Sequence, residues 1–251
     1  MIDIHTHILP RFDDGAKDSA MSVAMLEREL AQGVKTVVLT SHFYGRKHSP
    51  KHFLQRREGA FERIKERIPE GLDVRLGAEV HFTGINLVDC EELCSLAIEG
   101  TKCILLEFPF TSKWSGELMD SLAEFISETG YTPIIAHIER YSEVLKRPAY
   151  VTELVNMGCL LQMNAQAFLN KKERNFAFTL LRKDLVHCIG SDAHDLELRA
   201  CQLAEAKAAV EAEGLADKWE RAQTIMQEVL RGEQPDFETE ERVKKFLGKY
   251  K

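Results

Sequence analysis

The segment IDIHTHI, residues 2–8, combines the apolar run of a buried strand with two histidines two positions apart. Because side chains alternate between the two faces of a strand, His5 and His7 point to the same side, as two ligands of one metal ion must. Similar short apolar runs follow at 34–40, 74–80, 103–108, 131–137, 159–163 and 185–190. Most of them start about 26 to 40 residues after the previous one, which leaves room for a strand and a crossover helix. The sequence therefore predicts about seven parallel strands in repeated βα units.

The segments between these runs have the periodicity of amphipathic helices. In DSAMSVAMLERELAQG, residues 18–33, Asp18 or Ser19 can cap the start, and Gly33 suits the left-handed position at the end. Comparable helices are predicted near 51–67, 115–129, 149–157, 173–183 and 197–213. The last residues, from about 215 onward, have no apolar strand run and predict two helices on the outside of the fold, broken at Gly232 and Pro235.

The fold class predicted from this rhythm is α/β. Periodicity alone fits both a TIM-like barrel and an open doubly wound sheet, but seven or eight βα units in one chain favour the closed barrel. No linker rich in Pro, Gly or Ser divides the 251 residues. We therefore predict a single domain over residues 1–251, with a barrel over about 1–214 and C-terminal helices over about 215–251.

Composition argues against several classes of protein. With 44% apolar and 29% charged residues the chain is an ordinary globular protein, and its net charge of −7 disfavours a general nucleic-acid binder. The six cysteines form no CxxC pair, and the N-terminus MIDIHTHILP lacks the basic and long apolar regions of a signal peptide. No stretch approaches the roughly 18 apolar residues of a membrane span. We expect a cytoplasmic protein with free thiols and no membrane insertion.

Charged and imidazole side chains recur where the predicted strands end. They are His5 and His7, Asp13 and Asp14 in the loop DDG, His42, Glu79, Glu107, His137, Asp192 and His194. Singly each has a simpler explanation, since an aspartate after a strand most often caps the next helix. In a parallel barrel, however, the carboxyl ends of the strands converge on one face, and carboxylates buried there need partners. Together they predict a multinuclear metal site, whose oxygen and imidazole ligands suit Mn, Fe or Zn.

The order of these motifs resembles the PHP (polymerase and histidinol phosphatase) superfamily. The motifs are HTH (5–7), DDG (13–15), TSH (40–42), GAE (77–79), LLE (105–107), IAHIERY (135–141) and SDAH (191–194). Within that superfamily, residues 1–231 are most similar to the manganese-dependent protein tyrosine phosphatases of bacterial capsule and exopolysaccharide synthesis. In place of the proline that usually follows the DDG glycine, this chain has Ala16.

The resemblance implies a (β/α)7 barrel with three divalent metal ions on its C-terminal face. Manganese is expected, with Fe, Zn, Co or Mg as other candidates. The implied ligands are His5, His7, Glu79 and Asp192 for the first ion, Glu79, Glu107 and His137 for the second, and Asp14, His42 and His194 for the third. Asp14 is preferred to Asp13 because it directly precedes the glycine. Arg140 and Arg199 are implied to be the catalytic and substrate-binding residues, since a guanidinium fork suits phosphoryl oxygens.

The function that the resemblance implies is that of a metal-dependent protein-tyrosine phosphatase. Such an enzyme is a phosphoric monoester hydrolase that acts through a metal-activated hydroxide. Three divalent ions outweigh four ligand carboxylates, so the site attracts a phosphate dianion. A phenolate, whose conjugate acid has a pKa of about 10, leaves with little help from a general acid. The expected partner is a phosphorylated bacterial tyrosine kinase or its tyrosine-rich tail. The alternatives are histidinol phosphate or another small phosphomonoester as substrate, and a non-catalytic, metal-stabilised module that binds the kinase.

Two other patterns bear on this hypothesis. A cysteine-based phosphatase needs a Cys-x5-Arg loop, and no cysteine here has an arginine six positions later. The basic stretch GRKHSPKHF, residues 45–53, together with Arg56 and Arg57 suggests a rim that receives an acidic, phosphorylated tail. Such a run is more often a solvated loop followed by the start of a helix.

Overall fold

The structure is a computed structural model that describes residues 1–83, 90–110, 113–114, 116–235, 237, 243, 245–246 and 249–250. All seven predicted strands are present. The one predicted at 74–80 is divided in two, and a further two-residue strand follows the one predicted at 34–40. The strands of the main sheet are β1 (Ile2–Thr6), β2 (Thr36–Leu39), β3 (His42–Phe43), β4 (Asp73–Leu76), β5 (Glu79–His81), β6 (Cys103–Glu107), β7 (Thr132–Ile135), β8 (Leu160–Asn164) and β9 (Cys188–Gly190). Apolar side chains on these strands, such as Ile4, Leu105 and Ile189, are completely buried and form the core.

The strands pair in parallel in the orders β1-β2-β4 and β3-β5-β6-β7-β8-β9. The two groups continue into each other, because β2 and β3 are successive parts of one run, as are β4 and β5. Across the break, Gly77 N donates to Leu39 O at 2.9 Å and Glu79 N donates to Thr40 O at 2.9 Å. The fold is therefore a mixed α/β fold built on one curled parallel sheet.

The first strand lies beside the residues that follow the last one. Thr6 forms an isolated parallel bridge with Ala193. His7 N donates to Ala193 O at 2.9 Å, and Asp192 N donates to His5 O at 2.8 Å. The curl of the sheet thus brings together residues from the two ends of the strand sequence.

Nine α-helices occur in the described part of the chain. They are α1 (Ser19–Ala31), α2 (Pro50–Phe61), α3 (Cys90–Cys94), α4 (Gly116–Thr129), α5 (Ser142–Lys146), α6 (Ala149–Asn156), α7 (Arg174–Arg182), α8 (Leu203–Ala212) and α9 (Ala216–Leu230). Of the two predicted caps for α1, Asp18 and Ser19, the structure uses Asp18, whose Oδ1 accepts from Met21 N at 2.8 Å. Gly33 has the expected left-handed φ of 84°. None of these helices combines the length and the apolar character needed to cross a bilayer.

Two predicted helices have different bounds in the structure. The helix expected over 51–67 ends at Phe61, and only a short 3-10 turn, Lys65–Arg67, follows. The helix expected from residue 197 begins at Leu203. The reason for the late start is a turn in which Asp195 Oδ1 accepts from both Glu197 N and Arg199 N, so the backbone before Leu203 is held in a loop.

The C-terminal region is partly as predicted. Helix α9 packs on the outside of the sheet, where Trp219 is completely buried and Gln223 Oε1 accepts from Ile2 N at 2.8 Å. The second predicted helix lies mostly outside the described residues. Where the chain is described, Lys245–Phe246 (β10) and Lys249–Tyr250 (β11) form an antiparallel pair, so the helix prediction is wrong there. The centre of the Tyr250 ring lies 4.7 Å from the centre of the Phe176 ring of α7. This tertiary contact outweighs the local preference of the segment for helix.

Candidate metal centre

All nine predicted ligands lie at one end of the curled sheet, at or just after the carboxyl ends of strand runs. They are His5 in β1, His7 and Asp14 after it, His42 in β3, Glu79 in β5, Glu107 in β6, His137 after β7, and Asp192 and His194 after β9. The parallel register makes neighbours of several of them, since His42 pairs with Glu79 and His81 pairs with Glu107. The structure therefore brings together all the residues that the sequence singled out.

The buried carboxylate of Glu79 lies at the centre of the cluster. Its Oε2 atom is 3.3 Å from His5 Nε2, 3.2 Å from His7 Nε2 and 2.8 Å from His42 Nδ1. Its Oε1 atom is 2.8 Å from His137 Nε2. A carboxylate with imidazoles at both oxygens is placed to bridge two cations.

Three groups of donor atoms in this cluster are compact enough to hold a metal ion, with all atoms of a group within 4.8 Å of one another. The groups are His5, His7 and Asp192; His42, Glu79 and Glu107; and His7, Asp14, His42 and His194. They overlap the three ligand sets implied by the family resemblance. His137 joins the second group through Nε2, which is 3.6 Å from Glu107 Oε1 as well as close to Glu79.

Several donor atoms of the cluster lack hydrogen-bond partners, which also fits a role as ligands of divalent ions. His42 Nδ1, Glu79 Oε2 and His194 Nε2, which face other donor atoms of the cluster, are buried side-chain atoms without a hydrogen-bond partner. The 2.8 Å approach of His42 Nδ1 to Glu79 Oε2 does not have hydrogen-bond geometry. Buried polar atoms are nearly always paired, so unpaired nitrogens and oxygens that converge on one another point to cation ligands.

The charges of the cluster suit the same role. Burial alone raises the pKa of Glu79, but the imidazoles of His5, His137 and His42 outweigh it and leave the pKa well below its usual value. The pKa of Asp192 is lowered in the same way, because the effect of burial, which raises it, is smaller than the effect of the surrounding imidazoles, which lower it. Burial and the neighbouring His7 lower the pKa of His194 to about 4. Despite burial, the neighbouring carboxylates raise the pKa of His5 and of His7. The carboxylates and His194 are therefore in the forms that bind metals at neutral pH, whereas His5 and His7 would release a proton on binding.

The two aspartates of the DDG loop have different environments. Asp13 Oδ2 lies 2.8 Å from His7 Nδ1 and accepts from His42 N at 2.9 Å, while its Oδ1 accepts from Gly15 N. Asp13 is thus occupied with orienting His7. Asp14 instead faces the cluster, with Oδ1 3.5 Å from His42 Nε2 and 3.4 Å from His194 Nε2. This placement favours Asp14 as the ligand.

Gly15 makes this loop possible. A Cβ atom at this position would lie 1.9 Å from His7 O, so no other residue fits without moving the backbone. Ala16 N donates to His7 O at 3.1 Å, which closes the loop onto the end of β1. The glycine of the DDG motif is therefore explained by the close approach of the loop to the backbone of a ligand.

Two of the candidate ligands have strained backbones. His137 has a φ of 32° and Asp192 a φ of 54°, values in the left-handed region that non-glycine residues rarely adopt. Such conformations cost about 1–3 kcal/mol each and are concentrated at functional sites. At both positions the chain turns sharply just after a strand, which directs the side chain into the cluster.

The two predicted arginines converge on one carboxylate oxygen. Arg140 Nη1 donates to Asp192 Oδ2 at 3.0 Å, and Arg199 Nη2 donates to the same atom at 2.9 Å. Their side chains are 39% and 37% exposed, so the guanidinium groups stand between the buried cluster and solvent. Each guanidinium has further N–H donors to offer to a ligand.

Several residues of the site were not predicted from the sequence. Gln162 Oε1 lies 3.2 Å from His5 Nδ1 and accepts from His137 N, and Asn164 Nδ2 donates to Asp192 Oδ2 at 3.0 Å. Both come from β8, where polar side chains at alternate positions of a buried strand were the available signal. His81, whose Nδ1 lies 3.2 Å from Glu107 Oε2, follows Glu79 at the same two-residue spacing that identified His5 and His7.

The basic stretch near residue 45 lies beside the site only in part. Lys47 Nζ is 4.7 Å from the centre of the Tyr44 ring, which in turn lies 5.4 Å from the His42 ring. Arg56 and Arg57, by contrast, donate to backbone oxygens, at Phe12 and Gly77 respectively. These two arginines hold the fold together, so a rim could be formed only by the residues before them.

The cysteines lie apart from this cluster as small buried side chains. Cys103, Cys159, Cys188 and Cys201 are buried and unpaired. Burial raises the pKa of the Cys103 thiol to about 12, so this thiol is protonated at neutral pH. A thiolate nucleophile would need the opposite shift.

Comparisons with known proteins agree with this geometry. Tyrosine-protein phosphatase CpsB of Streptococcus agalactiae serotype III (strain NEM316) is 33% identical over 215 residues, which cover 82% of this chain and 88% of that protein. Tyrosine-protein phosphatase YwqE of Bacillus subtilis (strain 168) is 34% identical over 221 residues, covering 85% of each chain. A crystal structure from work on YwqE of Bacillus subtilis and CpsB of Streptococcus pneumoniae, described as unique metal-dependent tyrosine phosphatases, matches with a TM-score of 0.83 and 29% identity. The match covers 98% of this chain and all of that one.

A more distant match is informative about the fold alone. The lactonase Lmo2620 of Listeria monocytogenes superposes with a TM-score of 0.53 at 12% identity. The sequence model of the capsular polysaccharide synthesis family CpsB/CapC, in contrast, matches residues 1–227. The resemblance stated from the motifs is thereby confirmed, and this chain belongs to the CpsB/CapC family of capsular polysaccharide synthesis.

Proposed function

We propose that this protein is a metal-dependent protein-tyrosine phosphatase of capsular or exopolysaccharide synthesis. The observation that carries the proposal is the convergence of two arginines, Arg140 and Arg199, on the edge of a cluster of nine imidazole and carboxylate groups, most of them buried. The relatives named above as tyrosine-protein phosphatases cover most of the chain, which supports the same activity. The four buried cysteines, Cys103, Cys159, Cys188 and Cys201, have thiols whose pKa is raised by burial, which is unfavourable for a thiolate nucleophile and supports the cluster as the place for the chemistry.

The cluster would hold three divalent ions, with manganese as our proposed metal. The proposed ligands are His5, His7, Glu79 and Asp192 for one ion, Glu79, Glu107 and His137 for the next, and Asp14, His42 and His194 for the third. When bound, such ions supply Lewis acidity and a means of ionising water near neutral pH. Glu79 belongs to two of the sets, in keeping with imidazoles on both of its oxygens.

The arginines bind and orient the phosphoryl group in this proposal. Arg140 and Arg199 already direct N–H groups to the mouth of the site, and Asp192 keeps both guanidinium groups there. A phosphoryl dianion can accept hydrogen bonds from their remaining N–H groups, two from one guanidinium group, which is the bidentate geometry that arginine favours. The phenolate of tyrosine then leaves without a strong general acid, since the pKa of a phenol is only about 10.

We also propose that the curled sheet closes into a (β/α)7 barrel within one domain of residues 1–251. The bridge between Thr6 and Ala193 and the two flanking backbone hydrogen bonds support closure between the first and last strands. Closure matters for function, because it places the β1 histidines beside Asp192 and His194.

The natural substrate we propose is a phosphorylated tyrosine kinase or its tyrosine-rich tail in the cytoplasm. Free thiols support a reducing compartment. Exposed cations at Arg46 and Lys47, close to Tyr44 at the mouth, support contact with an acidic, phosphorylated tail. Replacing both by alanine is expected to raise KM for a phosphoprotein but not for a small aryl phosphate.

The test combines metal analysis with phosphatase assays on a phosphotyrosine peptide and on histidinol phosphate. We expect His5→Ala and Glu107→Ala to lose both bound metal and activity, and Arg140→Ala to keep the metal while losing activity. Arg174→Ala is the matched control, because Arg174 is an arginine of similar exposure that pairs with Glu213 far from the cluster.

Three outcomes would contradict the proposal. Faster turnover of histidinol phosphate than of the peptide would make the protein a small-molecule phosphatase. A fully metal-loaded wild type that binds the kinase but hydrolyses no phosphoester would make it a binding module. Loss of metal from Arg140→Ala would remove the role proposed for that residue.

A further inference from the structure

Two half-buried aromatic side chains stand at the mouth of the metal centre. Of the non-histidine rings in contact with its imidazoles, Tyr141 is buried, whereas Tyr44 and Phe110 are partly exposed. They come from different loops, Tyr44 directly after β3 and Phe110 after β6. Partly exposed aromatic rings beside a polar site offer apolar surface to a ligand.

Tyr44 packs on the imidazole side of the site. Its ring lies 5.4 Å from the His42 ring and 5.4 Å from the His81 ring. The third neighbour is the flexible, exposed Lys47, whose Nζ is 4.7 Å from the ring centre.

Phe110 lies on the arginine side. Its ring stacks on Tyr141 at 5.5 Å and lies 5.3 Å from the His137 ring. The guanidinium carbon of Arg140 is 4.7 Å from the ring centre, in a cation–π contact. Phe110 therefore contacts the arginine that we propose to bind the phosphoryl group.

Between the two rings runs a row of site residues. Tyr44 contacts His81, His81 Nδ1 lies 3.2 Å from Glu107 Oε2, Glu107 Oε1 lies 3.6 Å from His137 Nε2, and His137 contacts Phe110. Glu107 is only 5% exposed and His137 only 1%, so these two residues form a buried floor, and the more exposed rings of Tyr44 and Phe110 lie at the two ends of the row. A phosphoryl group bound at this floor would have an aromatic ring on either side.

We propose that Tyr44 and Phe110 are the walls that hold the aromatic ring of phosphotyrosine and so determine specificity for aryl phosphates. This inference rests on the proposed phosphatase function. A phenyl ring filling the space gains aromatic contacts with both walls. It also carries the phosphate far enough from the peptide backbone to reach the floor. The short side chain of phosphoserine offers neither the contacts nor the reach.

The test separates recognition of the ring from recognition of the phosphate. Tyr44→Ala, Phe110→Ala and the control Tyr131→Ala, a half-buried tyrosine at the opposite end of the sheet, are loaded with Mn²⁺ and checked for metal content. KM is measured for a phosphotyrosine peptide, and the inhibition constant is measured for inorganic phosphate. Fluorescence anisotropy of a labelled peptide carrying a non-hydrolysable phosphonate analogue gives binding without turnover.

For Tyr44→Ala we expect KM and the dissociation constant of the analogue to rise roughly three- to tenfold, from the usual size of aromatic contacts. The inhibition constant of phosphate and the metal content are expected to stay at the wild-type values. Tyr44→Phe should behave as wild type, because it keeps the ring. For Phe110→Ala the rise in KM should exceed any rise in the inhibition constant, since Phe110 also supports Arg140.

The failures are distinguishable. If the metal-loaded wild type hydrolysed no phosphotyrosine peptide, the proposed function itself would be contradicted. If the wild type were active but Tyr44→Ala kept the wild-type KM, or raised KM and the phosphate inhibition constant equally, only the role of the ring wall would be overturned.

Discussion

The candidate metal centre and a second cluster, made of Asp3, Glu29 and Cys201, both bury carboxyl groups beside β1, but their charges differ. At the metal centre, imidazoles hold the pKa of Glu79 well below its usual value. In the second cluster, burial and the facing Asp3 carboxyl raise the pKa of Glu29 well above its usual value. Burial disfavours ionisation in both places, so the neighbouring groups decide which carboxyls are charged.

The contacts of the second cluster explain the contrast. Asp3 Oδ1 accepts from Ser191 N at 2.9 Å, and the Cys201 thiol donates to Glu29 Oε2 at 3.1 Å. The group lacks an imidazole, and its carboxyls are completely buried. Its atoms are close enough to hold a cation, and Asp3 Oδ2 and Glu29 Oε1 lack a hydrogen-bond partner as some atoms of the metal centre do. Without an imidazole, however, two adjacent carboxyls that retain a proton are better suited to joining α1 to β1. In this protein the imidazoles, more than the burial of the acidic groups, distinguish the candidate metal centre from the second cluster.

The largest effect that tests this contrast is expected from Glu79→Gln. Loss of the central carboxylate charge should remove bound metal and lower kcat/KM by at least about 100-fold, since even residues that merely support metal ligands cost 10- to 100-fold. Metal analysis and peptide hydrolysis measure both quantities. Glu153→Gln, at an exposed glutamate paired with Arg147, is the control. A Glu79→Gln protein with normal metal content would show that the centre was wrongly identified.

A smaller effect is expected from Arg199→Lys. A lysine keeps the charge but loses the fork that donates to Asp192 and, in our proposal, to the phosphoryl group. We expect kcat/KM for a phosphotyrosine peptide to fall roughly 10- to 100-fold, the size of one lost charged hydrogen bond, with metal content unchanged. Wild-type kinetics in this variant would mean that only the charge matters.

His187 shows how a buried imidazole behaves without a carboxylate partner. Burial, helped by Arg221, lowers its pKa from 6.5 to about 3. As the pH falls, His187 is therefore protonated in the unfolded chain before it is protonated in the folded protein. The contribution of the neutral side chain to the free energy of unfolding is fully present above pH 6.5 and is lost as the pH falls towards 3. Between these two pH values, this group lowers the free energy of unfolding by about 1.4 kcal/mol for each pH unit. Urea unfolding of wild type and His187→Gln at pH 7 and 5 should show a steeper loss for wild type, whereas parallel losses would contradict the argument.

The smallest effect is expected from Glu29→Gln in the second cluster. An amide keeps the shape, removes the need to retain a proton and can donate to Asp3. The unfolding free energy should change by less than about 1 kcal/mol and the metal content should not change. Chemical denaturation and metal analysis provide the measurements. A fall in bound metal would show that the second cluster also binds a cation, and the contrast drawn above would be lost.

Much of the site was predictable because it follows local backbone geometry. The two-residue spacing of His5 and His7 places them on one face, and the recurrence of polar groups after apolar runs marks one end of a parallel sheet. The same geometry predicted seven strands and the Asp18 cap. The predictions that were wrong, the start of α8 and a helix at residues 245–250, depend on the Asp195 turn and on the packing of Tyr250 against Phe176.

The sequence by itself determined the parallel sheet, its helices and the candidate ligands, because strand and helix periods are properties of neighbouring residues. The tertiary structure alone decided that Asp13 orients His7 and that Gln162 and Asn164 support the cluster. It alone decided that Glu29 and Cys201 meet although distant in the chain. The hydrogen-bond partner of a buried side chain and its protonation state depend on which groups from distant parts of the chain lie next to it. A local sequence pattern does not contain that information.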